Sequence, residues 1–327
     1  MKILVRLPNW LGDMVMSVGF VRQLPHFFEG AEVSVIAKKG IHDLLDFFPP
    51  LHHRFIFHKP DFKGLGGALR FGKEVKQQER FDLFFSLPNS MSAALSGFTS
   101  GSRKRIGYKN ELRQILLTHS FKQPQGLHRA DEYIRLLELF TGKTAAPVSV
   151  TLNHAFAREG HIAMNINSEA SSRRLTQDKA VRLISEVQQG FGVPIVLVGA
   201  PKEKEFVQSV IDRLDNKTGV RNAAGATSLH GLVEVLASAQ LVVSTDSGPA
   251  HLANALGTPT VVLFGAGNEA HTAPYNPANR SVIRLGQLSC EPCLKNTCVR
   301  YGIPQCLERL DTKQIIERMH QIAVQHG

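Results

Sequence analysis

The chain has 327 residues, of which 43% are hydrophobic and 20% charged, and its formal net charge at pH 7 is +10. This length predicts two domains. Its first apolar run is too short for a signal peptide, and no stretch offers the ~20 largely apolar residues of a membrane span, so we expect a cytoplasmic protein.

The positive charge is concentrated in the first half of the chain. Residues 1–155 hold 21 Lys and Arg against 13 Asp and Glu, a balance of +8, whereas residues 156–327 are balanced to +2. The excess predicts an anionic partner: nucleic acid, an anionic membrane surface, or a phosphorylated or carboxylated small molecule. A charge that only maintains solubility is the alternative.

Strands and helices alternate along both halves of the sequence. In the first half the pattern predicts strands at 2–7, 33–37 and 81–87 and helices at 13–24, 41–48, 90–98 and 128–140. In the second half it predicts strands at 161–166, 195–199, 241–244 and 261–264 and helices at 177–191, 203–214, 229–237 and 312–324. Such alternation is typical of βαβ units and a parallel sheet. We therefore predict an α/β protein with two Rossmann-like domains, 1–155 and 156–327, that face a central cleft, with the last helix packing back on the first domain.

The loop after the first predicted strand contains a candidate general base. The carboxyl edge of a parallel sheet is where such domains bind ligands, and this loop holds Asn9, Gly12 and Asp13. Gly12 would let the backbone approach a ligand. Asp13 could accept a proton or cap the helix that follows it. The loop lacks the G-x-G-x-x-G pattern, which argues against hydride transfer.

A strand that runs into a helix start forms a second candidate site. Ser247 and Gly248 would direct backbone N–H groups toward an anion such as a diphosphate, and Pro249 suits the first helical turn. Asp246 beside that anion would suit sugar hydroxyls. His251, one turn further on, could be a ligand or a structural histidine.

Other predicted donor-site residues follow neighbouring strands. The hydroxyls and guanidinium of Ser171, Ser172 and Arg173 would suit a diphosphate leaving group, although a solvated basic turn explains them equally well. Glu203 follows another strand and could bind a ribose diol.

All four cysteines lie close together, in a C-x2-C-x4-C-x7-C pattern: Cys290, Cys293, Cys298 and Cys306. Four thiols could hold a tetrahedral zinc ion. The spacing matches no common zinc motif closely, so from sequence we favour a metal-free loop with reduced thiols, because stable disulfides are rare in a reducing compartment.

Four segments together resemble the ADP-heptose:lipopolysaccharide heptosyltransferases of glycosyltransferase family nine, and most closely their heptosyltransferase II subgroup. The segments, all read from the sequence, are Trp10-Leu11-Gly12-Asp13-Met14-Val15-Met16-Ser17, Leu87-Pro88-Asn89-Ser90, Arg105-Ile106-Gly107-Tyr108 and Asp246-Ser247-Gly248-Pro249-Ala250-His251-Leu252-Ala253. The resemblance implies a GT-B fold, an inverting mechanism and no catalytic metal or other cofactor. It also implies transfer of L-glycero-D-manno-heptose from ADP-heptose to the heptose of the lipopolysaccharide inner core.

The resemblance also assigns roles to individual residues. It implies that Asp13 is the base, that Asp246 contacts the sugar, that Gly248 and His251 lie at the phosphate, and that Glu203 binds the ribose. The acidic acceptor would meet the basic first domain, with Arg103, Lys104, Arg105 and Arg113 joining Asn9 and Gly12 as candidates. We expect a monomer with no nucleic-acid partner that contacts the inner face of the inner membrane peripherally.

The donor segments depart from the family pattern at two places. The family usually has Asn-Pro-Gly-Ala where this chain has Asn167-Ser168-Glu169-Ala170, and Lys-Arg-Trp-Pro where it has Arg173-Arg174-Leu175-Thr176. Glu169 would be unfavourable beside a diphosphate unless its side chain points away. Three alternatives remain open: a family-nine transferase with another ADP-sugar or acceptor, a GT-B sugar-nucleotide epimerase, and a non-catalytic binder.

Overall fold

The structure is a computed structural model that describes residues 1–326. It divides into two compact units, Met1–Asn153 and His154–Gly327, where the sequence predicts a boundary at 155. Within residues 1–326, no helix combines the length and apolar character needed to cross a membrane.

The first unit alternates six strands with five α-helices. In chain order they are β1 (Lys2–Arg6), α1 (Leu11–Met16), α2 (Val18–Phe27), β2 (Glu32–Lys38), β3 (Arg54–Phe57), α3 (Gly64–Gln78), β4 (Leu83–Ser86), α4 (Met91–Thr99), β5 (Lys104–Tyr108), β6 (His119–Phe121) and α5 (Arg129–Thr141). Short 3₁₀ helices form at His42–Phe47 and Glu111–Leu116. All strands are parallel, in the order β3-β2-β1-β4-β5-β6.

The second unit repeats this plan. Its elements are β7 (Ile162–Asn165), α6 (Gln177–Phe191), β8 (Ile195–Leu197), α7 (Lys204–Asp212), β9 (Val220–Asn222), α8 (Leu229–Ser238), β10 (Leu241–Thr245), α9 (Gly248–Ala255), β11 (Thr260–Phe264), α10 (Glu269–Thr272), β12 (Arg280–Arg284), α11 (Gln305–Glu308) and α12 (Thr312–His326). Short 3₁₀ helices lie at Ser171–Arg173 and Pro201–Glu203. The parallel order is β12-β11-β10-β7-β8-β9.

The central strands of both sheets are buried. Every residue of β4, β10 and β11 is buried, as expected for parallel strands in the middle of an α/β sheet. Burial of side chains on such strands contributes about 25 cal/mol per Å² of apolar surface removed from water.

Helix α6 shows how local sequence defines an element and its packing face. The Thr176 hydroxyl accepts a hydrogen bond from the Lys179 backbone N–H (3.1 Å) and caps the N-terminus, and Gly192 ends the helix with φ 62°. These are the usual start and stop signals. The residues between them repeat at helical spacing, so that Leu183 and Val187 lie in the core of the second unit.

The last helix, α12, packs against α6 and against strands β10, β11 and β12 of its own unit. Its buried face comprises Ile315, Met319 and Ile322. The predicted bracing of the first domain by this helix stays a prediction.

Several predicted elements require correction. The helix predicted at 13–24 is two helices, which meet at Ser17, where the backbone N–H bonds to the carbonyls of Asp13 and Met14. The helix predicted at 41–48 is a 3₁₀ helix. Strands β3, β5, β6, β9 and β12 were not predicted; they lie away from the sheet centre and include charged or polar residues.

Candidate active site

The carboxyl edge of the first sheet presents Asp13. Strand β1 ends at Arg6, and Asp13 lies in the first turn of α1, where its side chain is 30% exposed. The Arg129 Nε lies 3.7 Å from Asp13 Oδ1. Asp13 is therefore partly exposed and lies beside a cation.

Arg129 is fixed in position by a second carboxylate. It begins α5 and donates through Nη1 to the Glu132 Oε2 at 2.8 Å. The Glu132 carboxylate is buried, and Gln123 donates to both of its oxygens at 3.4 Å. Arg129 was not predicted as a site residue. The available signal was its position at the start of the helix predicted at 128–140.

The same network reaches the loop after β4. The Asn89 amide donates to Gln123 Oε1 at 2.9 Å and accepts from Arg113 Nη1 at 2.9 Å. Arg113 also donates through Nη1 to the Pro88 carbonyl and through Nη2 to the Ser86 hydroxyl.

Arg113 is almost fully buried at 1% exposure, and burial lowers its pKa to about 10. Its hydrogen bonds hold the loop that carries Asn89. Its predicted role as an acceptor contact stays a prediction.

Asn9 is held at this edge by a buried arginine. Arg6 Nη2 donates to Asn9 Oδ1 at 2.9 Å, and Nη1 donates to the Ile36 carbonyl at 3.3 Å. Burial lowers the pKa of Arg6 to about 10. Asn9 and Gly12 are both partly exposed in the loop that leads to Asp13.

The predicted acceptor cations Arg103, Lys104 and Arg105 lie at the other edge of the sheet. Lys104 of β5 pairs with Leu83 of β4, and Leu83 pairs with Ile3 of β1. These paired residues lie near the amino ends of their strands, so residues 103–105 lie at the amino edge of the sheet. Asp13 follows the carboxyl end of β1, and parallel strands run in one direction. The three cations and Asp13 therefore lie at opposite edges of the first sheet. That these cations bind the acceptor stays a prediction, and the structure does not place them beside Asp13.

Arg105 is also occupied within the protein. Its Nε donates to the Leu116 carbonyl at 2.7 Å and its Nη1 to the Ser102 carbonyl at 2.9 Å. Its guanidinium lies over the Phe98 ring, 5.4 Å from the ring centre, within the ~6 Å typical of cation–π contacts. These contacts make Arg105 a structural residue.

In the second unit, a buried amide connects the carboxyl ends of β7 and β10. The Asn165 amide donates to the Ser247 hydroxyl at 2.7 Å and to the Ser244 hydroxyl at 3.3 Å. The Thr245 hydroxyl donates to the Asn167 carbonyl at a short distance. The side chain of Ser247 is thus used to fix the turn and does not cap α9. The first-turn N–H groups of α9 have no side-chain cap and remain suited to an anion.

Asp246 leaves β10 at this edge and is 4% exposed. Burial raises its pKa to about 6, while the positive charges of Arg173 and Arg284 oppose the rise and Glu269 adds to it. Arg173 Nη1 lies 3.4 Å from Asp246 Oδ2. This ion pair was not predicted from the sequence. Among the described residues, Asp246 Oδ2 has no hydrogen-bond partner.

The loop after β11 leaves room for Asp246. A Cβ atom at Gly267 would lie 2.0 Å from Asp246 Oδ2, so glycine is required there. Arg284, at the end of β12, donates to the Gly265 carbonyl at 2.7 Å and through Nε to Glu269 Oε1 at 2.8 Å. Sequence reasoning missed Arg284, because nothing near it in the sequence marks β12 as a strand.

Glu203 is buried and accepts a hydrogen bond from the Ala200 backbone N–H at 2.7 Å. A Cβ at Gly199 would lie 3.1 Å from Glu203 Oε2. Glu203 therefore stabilises the turn after β8 with one oxygen. His251 is buried within α9, one turn beyond Gly248.

The two arginines of the Arg173–Arg174 pair have different roles. Arg174 donates to the Ser168 carbonyl at 3.0 Å, and its guanidinium lies 5.3 Å from the Phe206 ring centre. Arg173 is the one that faces Asp246. Glu169, which departs from the family pattern, is exposed and pairs with Lys202 at 3.1 Å.

Ser171 and Ser172 are held from the other side by the loop that contains the cysteines. The Ser172 hydroxyl donates to the Lys295 carbonyl, its backbone N–H donates to the Asn296 carbonyl at 3.2 Å, and the Ser171 hydroxyl donates to that same carbonyl at 3.3 Å. Ser172 is buried and Ser171 is exposed.

The two parallel six-stranded sheets have the GT-B architecture of solved heptosyltransferases, and the chain is a glycosyltransferase. More particularly, the chain belongs to glycosyltransferase family 9 (heptosyltransferase), whose model matches residues 68–303.

Relatives and solved structures agree with this assignment. The chain is 27% identical to lipopolysaccharide heptosyltransferase 2 of Escherichia coli K12, over 99% of each chain. The structure of E. coli ADP-heptose lps heptosyltransferase II has a TM-score of 0.85 and 23% identity, with 99% of each chain covered. E. coli heptosyltransferase WaaC with ADP has a TM-score of 0.77 and 16% identity, covering 98% of this chain and 100% of that one. The structural likeness confirms the predicted GT-B fold.

Proposed function

We propose that this glycosyltransferase moves L-glycero-D-manno-heptose from ADP-heptose to the heptose of the lipopolysaccharide inner core, with inversion at the anomeric carbon. The observation that carries the proposal is Asp13, a partly exposed carboxylate held beside Arg129 at a sheet edge in a family-9 chain. The full-length similarity to a lipopolysaccharide heptosyltransferase 2 supports the substrate class.

Asp13 serves as the general base in this mechanism. The acceptor hydroxyl oxygen attacks the anomeric carbon while the bond from that carbon to the diphosphate oxygen breaks. The hydroxyl proton passes to an Asp13 oxygen, and ADP leaves with the electron pair of the broken bond. Such a base contributes typically ~10²–10⁴-fold to the rate.

The second unit supplies the groups for the donor. The uncapped first turn of α9 and the Arg173 guanidinium stabilise the negative charge that grows on the leaving ADP. The unbonded Asp246 Oδ2 accepts a hydrogen bond from a hydroxyl of the transferred sugar. Ser171, Ser172, Glu203, Ser247, Gly248 and His251 complete the proposed donor site. No step in this mechanism requires a catalytic metal.

The acceptor side uses Asn9, Gly12 and Arg129. Arg129 is 27% exposed, so its guanidinium meets an acidic acceptor while its Nη1 stays on Glu132. We further propose that the protein acts in the cytoplasm as a monomer. Because the proposed acceptor is lipid-linked, we also propose that it contacts the inner face of the inner membrane peripherally.

Product masses test the function directly. Incubation of the protein with ADP-heptose and a truncated core acceptor that ends in one heptose should add one heptosyl mass and release ADP. ADP-glucose and ADP-mannose serve as donor controls, and an acceptor without heptose serves as acceptor control. Transfer from another ADP-sugar, or conversion of the donor without any acceptor, would instead establish one of the alternative activities.

A further inference from the structure

The four cysteines surround a single small cavity. Its volume is about 20 Å³, and its wall also includes Ser172, Gly265 and Glu291. About one probe sphere, ~10–15 Å³, suffices for a single water-sized occupant. Residues 288–306, termed the cysteine loop below, thus place all of the chain's thiols at a cavity with room for one water-sized occupant: Cys290, Cys293, Cys298 and Cys306.

The chemistry of this donor set is specific. Four thiolates in tetrahedral arrangement are the ligands of a structural zinc ion or of iron. Cys306 is buried, whereas Cys290, Cys293 and Cys298 are half-buried.

The loop must contract to bind an ion. Within residues 1–326, three metal-ligating atoms come within 4.8 Å of one another only at His52, His53 and Glu79, so the sulfur atoms are spaced more widely than in a closed site. The intervening side chains allow the movement, because Leu294 and Val299 are 61% and 82% exposed and are not packed in the core.

The cysteine loop also supports the donor-site residues. Its carbonyls at Lys295 and Asn296 accept the hydrogen bonds of Ser171 and Ser172, which immediately precede Arg173. The Leu294 backbone N–H donates to the Ala266 carbonyl at 2.9 Å, in the loop that passes Asp246. Any group that stiffens the cysteine loop therefore stiffens both neighbours of Asp246.

We propose that the four cysteines bind one thiophilic metal ion, zinc or iron, and that this ion orders the donor-site loops on both sides of Asp246. The ion is structural and takes no part in the chemical step. The proposal replaces the metal-free loop expected from the cysteine spacing alone. Metal binding, the first half of the proposal, does not rest on the proposed function. The ordering of the donor-site loops, its second half, does.

Metal content tests the first half without reference to activity. Protein without an affinity tag, purified under reducing and chelator-free conditions, should contain about one zinc or iron per chain by elemental analysis. Cys293→Ser and Cys298→Ser, at two half-buried positions, should each lose most of that metal. Thr297→Ala, an exposed change in the same loop, should retain it.

Two results would overturn metal binding. One is wild-type protein that remains without stoichiometric metal after incubation with Zn²⁺ or Fe²⁺ and gel filtration. The other is four thiols that react with a thiol reagent equally fast before and after chelation. Both measurements use folded wild-type protein, so a variant that fails to fold does not decide the outcome.

ADP binding tests the second half. Removal of the metal by a chelator should weaken ADP binding several-fold and raise the donor KM, while the acceptor KM stays unchanged; readdition of the metal should restore both. If ADP binding is identical with and without the metal, the ordering role is wrong even though the site exists. If neither form binds ADP, the proposed function fails and the metal site is unaffected.

Discussion

The two units present the same pair of groups in opposite environments. In each, an aspartate follows a central strand and lies within 4 Å of an arginine: Asp13 with Arg129 at 3.7 Å, and Asp246 with Arg173 at 3.4 Å. Asp13 is 30% exposed, whereas Asp246 is 4% exposed. Burial raises the pKa of Asp246 to about 6 despite its arginine.

The difference in exposure indicates different roles for the two aspartates. An exposed carboxylate on a short helix can receive a proton from an incoming hydroxyl and return it to water. A buried carboxylate with an unbonded oxygen is placed to accept hydrogen bonds from a bound hydroxyl, because the site has already excluded water. The two units share a fold, but their aspartates are therefore suited to different roles.

Replacing the exposed aspartate should have the largest effect. Asp13→Asn keeps the shape but cannot take a proton, so kcat should fall by ~10²–10⁴-fold. ADP binding should change little, because Asp13 lies in the other unit from the donor residues. Turnover by product mass and ADP affinity by calorimetry check this. A variant that kept more than about a tenth of wild-type turnover would move the base elsewhere.

Replacing the buried aspartate should alter pH dependence. The unfolded Asp246 carboxyl ionises near 3.8 and the folded one near 6, so the folded state holds the extra proton between these values. The free energy of unfolding of the wild type should therefore fall, relative to Asp246→Asn, by about 2–3 kcal/mol as pH rises from 4 to 6. Denaturant titrations at several pH values measure it.

Protonation of the Asp246 carboxylate should also affect donor binding. Below about pH 6 the protonated Asp246 accepts fewer hydrogen bonds, so the wild-type donor KM should rise as pH falls, and the KM of Asp246→Asn should stay flat over that range. Parallel pH profiles for the two proteins would show that protonation of Asp246 does not affect donor binding, and this prediction would be wrong.

The sequence was most informative where burial is complete. The strand–helix pattern predicted β1, β4 and β10 near their observed positions and α6 at its observed bounds. Strand β5 was missed because it begins with charged Lys104 and Arg105. An edge-side strand keeps polar residues where it meets solvent, so its pattern is weaker than that of a central strand.

The candidate site was predictable only in part for a related reason. Asp13 and Asp246 follow predicted strands, and the position of a residue after a strand is visible in sequence. Arg129 and Arg284 are distant from them in sequence and reach them only through sheet order, which no local pattern gives. The cations that sequence reasoning chose instead, at 103–105, were selected by charge alone.

Replacing Arg103 and Lys104 should have the smallest effect. It tests whether acceptor binding depends on the total charge or on where the charge lies. Arg103→Ser with Lys104→Ser removes two exposed charges at the amino edge and leaves the bonds of Arg105 intact. Because surface charges far from a site contribute little, acceptor kcat/KM should change by less than about twofold. Arg129→Gln removes one charge at the carboxyl edge, beside Asp13, and should lower acceptor kcat/KM by about tenfold or more. Both variants should keep wild-type ADP affinity. The opposite result, a larger loss of acceptor activity in the double variant than in Arg129→Gln, would mean that total charge governs acceptor binding. The contrast between the two edges of the first sheet would then no longer hold.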